Sequence, residues 1–516
     1  MELWTMFVMS IPAAARNNAC ISIGAATALI LCVIVLALAS ASVYGPLLHA
    51  VLRLRIKGNM PQLPPGSLGL PYWGESLSYL NSWTNKANPD VWYDIRRAAH
   101  GKIFKTHILG SPTVVMLGPE ANRFILINEN KLFRNSWPKS VKALIGENAL
   151  IISQGADHKR MRRIVLSVLG QEILKKSVVR FERLLLHHLD SGWHTGQIIH
   201  AYRQVKDMAL CVTAAYLIGL KPGDALEAFS RHFRVLNAGL LSHPLDLPWT
   251  VFGKAKRARS FVQAQIYAQI QVHRASIQAN SKKPEEEGNF LDMILSTGEA
   301  GSDLSLSDEE IVDNLTGLLL AGEDTTACAL STIMYHLARS PHLAHRLRKE
   351  CETLWIMKNP GEPLTWNEIK GLRFLRNVIS EGLRIVAPVN GGFKQAKVDV
   401  VYGGYTIPKG WKVHYSMRQT NNKDEYFPNP ELFDPDRFNE RHEPFSFIPF
   451  GQGNRICPGM EFAKLEMELF LYHLVLRFDW ELVEPDEPLN MQTLVPYPVH
   501  GLPLLLKPAS ISYAKT

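Results

Sequence analysis

Residues 450–459 read FGQGNRICPG, and a helix-like run, EFAKLEMELFLYHLVLRF, comes almost directly after them. Six positions in this stretch are chemically restricted: Phe450, Gly451, Gly453, Arg455, Cys457 and Gly459, too many for chance to supply in one chain. A thiolate is stabilised where backbone N–H groups point outward at a helix start, and Cys457 is placed there. The glycines open backbone angles closed to other residues and let the main chain approach a flat ring. Arg455 carries a planar fork of donors that suits a carboxylate. A structural cysteine beside an ordinary turn is the bland alternative. The combination makes Cys457 a candidate ligand for haem iron and Arg455 a candidate contact for a haem propionate.

The rest of the composition narrows the class. With 516 residues, 46% apolar and 20% charged, the chain is able to bury a large core, which excludes disordered and fibrous classes. No internal repeat is apparent, so a solenoid is excluded as well. The net charge of +8 comes without a basic block interleaved with aromatics, which argues against nucleic acid and for an anionic membrane surface or an acidic protein partner. The six cysteines form neither a disulfide framework nor a zinc pair.

Residues 17–52 contain no Asp, Glu, Lys or Arg and include an apolar run long enough to cross a bilayer as one helix. Arg53, Arg55 and Lys57 follow it, placing the remainder on the cytosolic side of a single-pass anchor. A cleaved signal peptide is the competing reading, but the basic residues trail the apolar run and do not lead it. The chain then divides into an anchor with its basic flank (1–57), a proline-rich hinge (58–72) and one large domain (73–516). Pro61, Pro64, Pro65 and Pro71 make the hinge stiff and extended.

Within the domain, residues 103–117 predict two strands joined at Gly110-Ser111-Pro112, and 119–275 are mostly helical in pattern, broken near 244–248. Residues 281–288 are a polar loop. Ser307 and Glu310 have capping-box spacing and predict a helix of about 30 residues, ending at Arg339 before Pro341. Thr365 and Glu368 repeat the signal ahead of one helix, IKGLRFLRNVISEGLRI. Short strands near 397–415 and 493–506 complete a mainly helical domain with a minor β lobe.

The long helix contains AGEDTT, residues 321–326, an acid and hydroxyls inside an apolar wall. Buried polar groups are costly unless paired or used. Thr325 is able to bond its own helix, a purely local role. With a haem-binding cysteine elsewhere, Asp324 and Thr325 become candidates for relaying protons to oxygen on the face of the iron opposite the sulfur, and Gly322 makes room for a flat cofactor or small ligand. Glu381 and Arg384 are one turn apart and, with Arg437, read as scaffolding behind the cysteine loop. His158 and Arg162 are also one turn apart. Arg162, with His158 second, is the candidate for a propionate contact, and Arg160 or Arg163 faces outward.

AGEDTT, EGLR, FDPDRF and FGQGNRICPG, in this order, resemble the cytochrome P450 family along essentially the whole chain. The resemblance implies the P450 fold, with haem b between the long helix and the cysteine loop and Cys457 as proximal ligand, the family's established thiolate and not one derived from spacing. It also implies Asp324 and Thr325 in splitting dioxygen, Glu381, Arg384 and Arg437 as a structural triad, and Arg455 and Arg162 on the propionates, with His158 where many members have Trp. Electrons are expected from NADPH through a separate flavoprotein reductase, with cytochrome b5 as a second donor, on the endoplasmic reticulum membrane. FRNSWPKS, GGYTIPKGWKV and EYFPNPELFDPDRF look like the plant clan that oxidises triterpenoids, diterpenoids and sterols; Lys394 and Arg418 stand where arginine and histidine are common there. The expected reaction is hydroxylation, by one oxidation or several, of a large apolar terpenoid or sterol. A haem isomerase or dehydratase working without reductase, and a non-enzymatic haem-binding scaffold, are the alternatives.

Overall fold

The computed structural model of the chain describes residues 61–70, 73–83, 90–279, 289–297, 305–359, 361–491 and 493–509. The anchor and its flank, the first part of the hinge and the loop at 281–288 lie outside the described residues, among which no helix is long and apolar enough to cross a membrane. In chain order the helices begin with α1 (Ser76–Ser82), α2 (Val91–His100), α3 (Pro119–Ile127), α4 (Lys139–Ile145) and α5 (Gly155–Leu169). There follow α6 (Gln171–Gly192), α7 (Ala201–Ile218), α8 (Asp224–Ala238), α9 (Val251–Gln278) and α10 (Phe290–Thr297). The remainder are α11 (Asp308–Arg339), α12 (Pro341–Met357), α13 (Trp366–Gly371), α14 (Arg373–Ile385), α15 (Arg418–Asn421) and α16 (Met460–Arg477).

The β lobe starts with the hairpin β1 (Ile103–Ile108) and β2 (Ser111–Met116). Its turn is centred on Leu109 and Gly110, with φ of 51° and 72°, one residue earlier than the sequence pattern suggests. Pro112 sits inside β2 opposite His107, and it does so without losing a ladder bond, because the strand on β2's other side pairs only from Thr113. That strand is β8 (Lys412–Ser416); with β3 (Phe133–Asn135) and β5 (Gly391–Ala396) it completes a sheet in the order β1-β2-β8-β5-β3. A second sheet joins β4 (Ile198–His200), β12 (Pro503–Pro508) and β9 (Phe478–Leu482) in that order, and small hairpins pair Val400–Tyr402 with Tyr405–Ile407 and Leu489–Asn490 with Tyr497–Pro498. The described part of the hinge bends at Pro65 and is tied to the lobe: the Pro65 carbonyl accepts the Lys105 N–H at 2.7 Å and the Gln62 carbonyl the Thr406 N–H at 3.0 Å.

α11 spans 32 residues, about 48 Å, and crosses the helical body. Its start is a capping box: Ser307 Oγ accepts the Glu310 N–H at 3.2 Å and the Glu310 carboxylate accepts the Ser307 N–H at 2.9 Å. Asp308, Glu309 and Glu310 fill its first turn and Arg339 closes its last, each complementing the helix dipole. It lies along α7, and Leu315, Leu319, Leu330 and Ile333 join Val205, Met208 and Leu210 in the main core.

The helix predicted over IKGLRFLRNVISEGLRI is two helices. Leu372 is extended, with ψ of 91°, and the new start is satisfied from another element: Glu350 of α12 accepts the Phe374 and Leu375 N–H groups at 2.8 and 2.9 Å. The triad is assembled beyond the break. Arg384, fully buried, forks onto Glu381 at 2.7 and 2.8 Å, Arg437 adds a bond to Glu381 at 3.0 Å, and Arg384 also donates to the Asn421 and Pro430 carbonyls, each at 2.8 Å. Both charges are saturated by partners, as a buried pair requires.

Candidate active site

The loop that carries Cys457 is folded by its own backbone. The Cys457 N–H donates to the Phe450 carbonyl at 2.8 Å and the Gly451 N–H to Ile448 at 2.8 Å, closing the turn ahead of α16. Gly451 and Gly453 adopt φ of 71° and 76°, and a Cβ on Gly453 would stand 2.8 Å from the Leu126 carbonyl oxygen. Gly453 thus serves close packing on α3, and not approach to a ring. Gly459 caps α16 at an ordinary φ, and its N–H is directed to the sulfur. Cys457 lies deep in the molecule yet is only partly covered by protein, which leaves space on one side of the sulfur. Burial raises its thiol pKa, while the Gly459 N–H and the Arg162 guanidinium pull the other way.

Beside the loop is a nest of cations. Arg162 on α5 donates to the Ile456 carbonyl at 2.7 Å. Arg455 donates to the Ser153 carbonyl at 2.7 Å, and its Nε is 2.7 Å from Glu129 without hydrogen-bond alignment. Lys394 reaches the same Glu129 at 2.7 Å and also contacts Asn135. Two cations thus face one buried carboxylate, with Arg162 nearby against the cysteine loop, and desolvation lowers the pKa of all three. His158, buried between them, is pushed down to about 4 by burial and by Arg455, Arg162 and Lys394, and its Nδ1 has no hydrogen-bond partner. Of its neighbours on α5, Lys159 and Arg163 are exposed, whereas Arg160 is turned onto Glu310 at the head of α11, at 2.7 Å. Lys394 and Glu129 were not singled out as site residues from the sequence; 265 positions separate them, and no local pattern links them.

On α11, Leu318, Ala321 and Thr325 share one helical face, on which Ala321 is exposed and Leu318 and Thr325 are only partly buried. Thr325 Oγ1 donates to the Ala321 carbonyl at 2.6 Å, the local bond open to such a residue, leaving its oxygen able to accept. Gly322 does not make room for a ligand; a Cβ there would meet Thr213 Oγ1 of α7 at 3.0 Å, so its role is helix packing. Asp324 turns toward α7 and α8. It takes the Lys206 ammonium at 2.5 Å, the Tyr202 hydroxyl at 3.3 Å and the Asn237 amide. Thr326 donates to Glu466 of α16 at 3.3 Å, joining the long helix to the one that follows Cys457.

A cysteine loop of this geometry ahead of a buried helix, in a helical body with a small β lobe, defines the class of thiolate-ligated haem proteins. A model of cytochrome P450 matches residues 64–506. Beta-amyrin 28-monooxygenase of Solanum lycopersicum is 34% identical over 464 residues, 89% of this chain and 96% of that protein. Taxane 13-alpha-hydroxylase of Taxus cuspidata is 35% identical over 450 residues, 86% and 92% of the two chains. The solved structure of retinoic acid bound cyanobacterial CYP120A1 matches with a TM-score of 0.77 at 32% identity, covering 87% of this chain and 100% of that one. The chain belongs to the cytochrome P450 family and is a P450 monooxygenase, whose fold implies haem. The residues present fit that group: a partly uncovered thiol, two buried cations sharing one carboxylate with the partly buried Arg162 beside them, and an orphaned His158 nitrogen together suit a flat dianionic ligand.

Proposed function

We propose that this chain is an NADPH- and O2-dependent haem-thiolate monooxygenase that hydroxylates a C–H bond of a large apolar terpenoid, a triterpenoid or diterpenoid before a sterol, in one oxidation or successive ones. Haem b, when bound, supplies dioxygen activation with two electrons from a flavoprotein reductase. Cys457 holds the iron, and the Gly459 N–H steadies the sulfur's charge. Arg162, Arg455 and Lys394 hold the propionates, with neutral His158 beside them. Thr325, anchored on the Ala321 carbonyl, keeps its oxygen free to accept, and Asp324 next to it, paired with Lys206, passes a proton.

The observation that carries monooxygenation is Thr325 on the partly uncovered face of α11 with Asp324 next to it, turned to α7 and α8; an isomerase or dehydratase leaves the pair without use. The substrate class rests on the relatives named for beta-amyrin and taxane oxidation. Residues 17–52 anchor the chain in the endoplasmic reticulum membrane, with the catalytic domain cytosolic. The exposed Lys159 and Arg163, on the helix that abuts the cysteine loop, offer positive charge to an acidic surface of the reductase or of cytochrome b5. The test is co-expression with a reductase in a host supplied with triterpene, diterpene and sterol skeletons. The expected result is a product heavier by one oxygen from a triterpene or diterpene; oxidation of sterols alone overturns the substrate class, and a product formed without reductase overturns the reaction.

A further inference from the structure

Glu323 precedes Asp324 and has no part in the reading above. Its side chain is 0% exposed, yet neither carboxyl oxygen accepts a hydrogen bond. The nearest cation is Lys206 of α7, whose Nζ is 3.8 Å from Glu323 Oε1 and 2.5 Å from Asp324 Oδ1. One ammonium therefore stands between two carboxyls on adjacent residues of α11, and the nearer has claimed it. Around Glu323 the other charged or titratable groups are Asp207 and Tyr202 from α7, Arg234 from α8 and Asp324 itself. Asp207 and Arg234 pair with each other and are each about a third exposed.

A buried carboxylate with no hydrogen bond and no contact ion pair is poorly stabilised, so the carboxyl keeps its proton. Burial pushes Glu323 up to about 8, with Lys206 opposing and Asp324 adding to the rise. At neutral pH the three groups hold one ammonium, one carboxylate and one carboxylic acid, and carry no net charge.

We propose that Glu323 is the proton reserve of Asp324 and that Lys206 is the counter-ion the two acids share. The proposal rests on the reading of Asp324 as a proton relay. In the transfer, a Lys206 Nζ–H bond breaks as an Asp324 Oδ1–H bond forms, and the Glu323 O–H bond breaks as the Nζ–H bond is restored. Asp324 is then the acid, and Glu323 is the carboxylate that holds the ammonium. Net charge is unchanged throughout, so a buried region with few donors has no new charge to solvate. The movement required is a swing of the Lys206 side chain that closes the 3.8 Å gap to contact.

The test pairs a spectrum with a stoichiometry. The resting full-length enzyme gives an infrared carboxylic-acid band, and the wild-type minus Glu323→Gln difference separates Glu323 from Glu466, which burial also keeps protonated. The expected difference band is present at pH 7 and vanishes as pH rises through about 8. In turnover, wild-type product per NADPH should fall over the same range. Glu323→Gln should give roughly tenfold less product per NADPH already at pH 7, short of the full loss expected for a general acid, with a flat profile above it. Absence of the difference band at pH 7, or a Glu323→Gln enzyme coupled as well as wild type, overturns the reserve. Asp324→Asn separates the two layers: if it uncouples turnover while Glu323→Gln does not, only the reserve is wrong. If Asp324→Asn is itself fully coupled, the relay reading fails and the reserve with it.

Discussion

Arg455 marks how far a residue can be read from its neighbours in sequence. Its place two positions before Cys457 points to a propionate, and its side chain does lie in the cation nest; what the local pattern omits is that Glu129 is shared between it and Lys394. The Cys457 turn and the acid and hydroxyl of α11 are legible because each is a contiguous string. Lys394, Glu129 and Lys206 are not, because their partners arrive from distant strands and helices. Replacing Lys394 with Met removes one cation of the nest while leaving Glu129 paired to Arg455. Haem transfer to an acceptor apoprotein should then quicken by roughly tenfold, the worth of one charge-assisted hydrogen bond, with the thiolate-type carbon-monoxide spectrum retained. An unchanged transfer rate would remove Lys394 from the propionate site. Cys457→Ser should abolish that spectrum. Thr325→Ala should keep it and divert reducing equivalents to peroxide or water, so a fully coupled Thr325→Ala enzyme ends the proton-delivery role.

At the scale of elements, capping signals predicted both the long helix and the start of α13, since a capping box is local chemistry and both boxes form. The break at Leu372 escaped because its cause is Glu350, brought from α12 by the packing of the whole helical body. The β1–β2 turn was misplaced by one residue for a different reason: Ser111 and Pro112 look like turn residues, and nothing nearby reveals that β8 leaves the Pro112 nitrogen unneeded. The turn instead places Leu109 at φ 51°, a conformation that costs a non-glycine residue roughly 1–2 kcal/mol and that Asn tolerates better. The Leu109 side chain is 48% exposed, and its N–H bond to Ser76 Oγ does not involve the side chain. Leu109→Asn should therefore stabilise the domain by about 1 kcal/mol, seen as a higher denaturation midpoint with an unchanged denaturant slope. A lower midpoint would show that the Leu109 side chain contributes packing that its exposure conceals.

Across the whole molecule, burial has moved two sets of titratable groups in opposite senses, and their balance sets how stability depends on pH. His158, His188, His336 and His414 are each pushed down to about 4, with desolvation the largest cause in every case. His414 shows why: its Nδ1 lies 3.1 Å from the Gly392 carbonyl and its Nε2 2.7 Å from the Tyr93 hydroxyl, an arrangement that suits a neutral ring donating to one and accepting from the other. A histidine with a depressed folded pKa contributes stability that is complete above its unfolded value near 6.5 and is lost as pH falls toward 4. Glu323 and Glu466 run the other way. Both are pushed up to about 8 by burial, so their contribution is complete below the unfolded value near 4.5 and is lost as pH rises through 8. Between about pH 4.5 and 6.5 four histidines oppose the two glutamates, and stability rises with pH; above 6.5 the histidines no longer act, and the glutamate pair lowers it by about 3 kcal/mol per unit. Thermal unfolding followed from about pH 5 to 9 at constant ionic strength should thus show a maximum near 6.5. Glu466→Gln, whose amide oxygen still accepts from Thr326, should remove about half of the alkaline slope and leave the acid limb in place. An alkaline limb as steep in Glu466→Gln as in wild type would mean that Glu466 is ionised in the folded protein, and that the contact between α11 and α16 is made by a carboxylate.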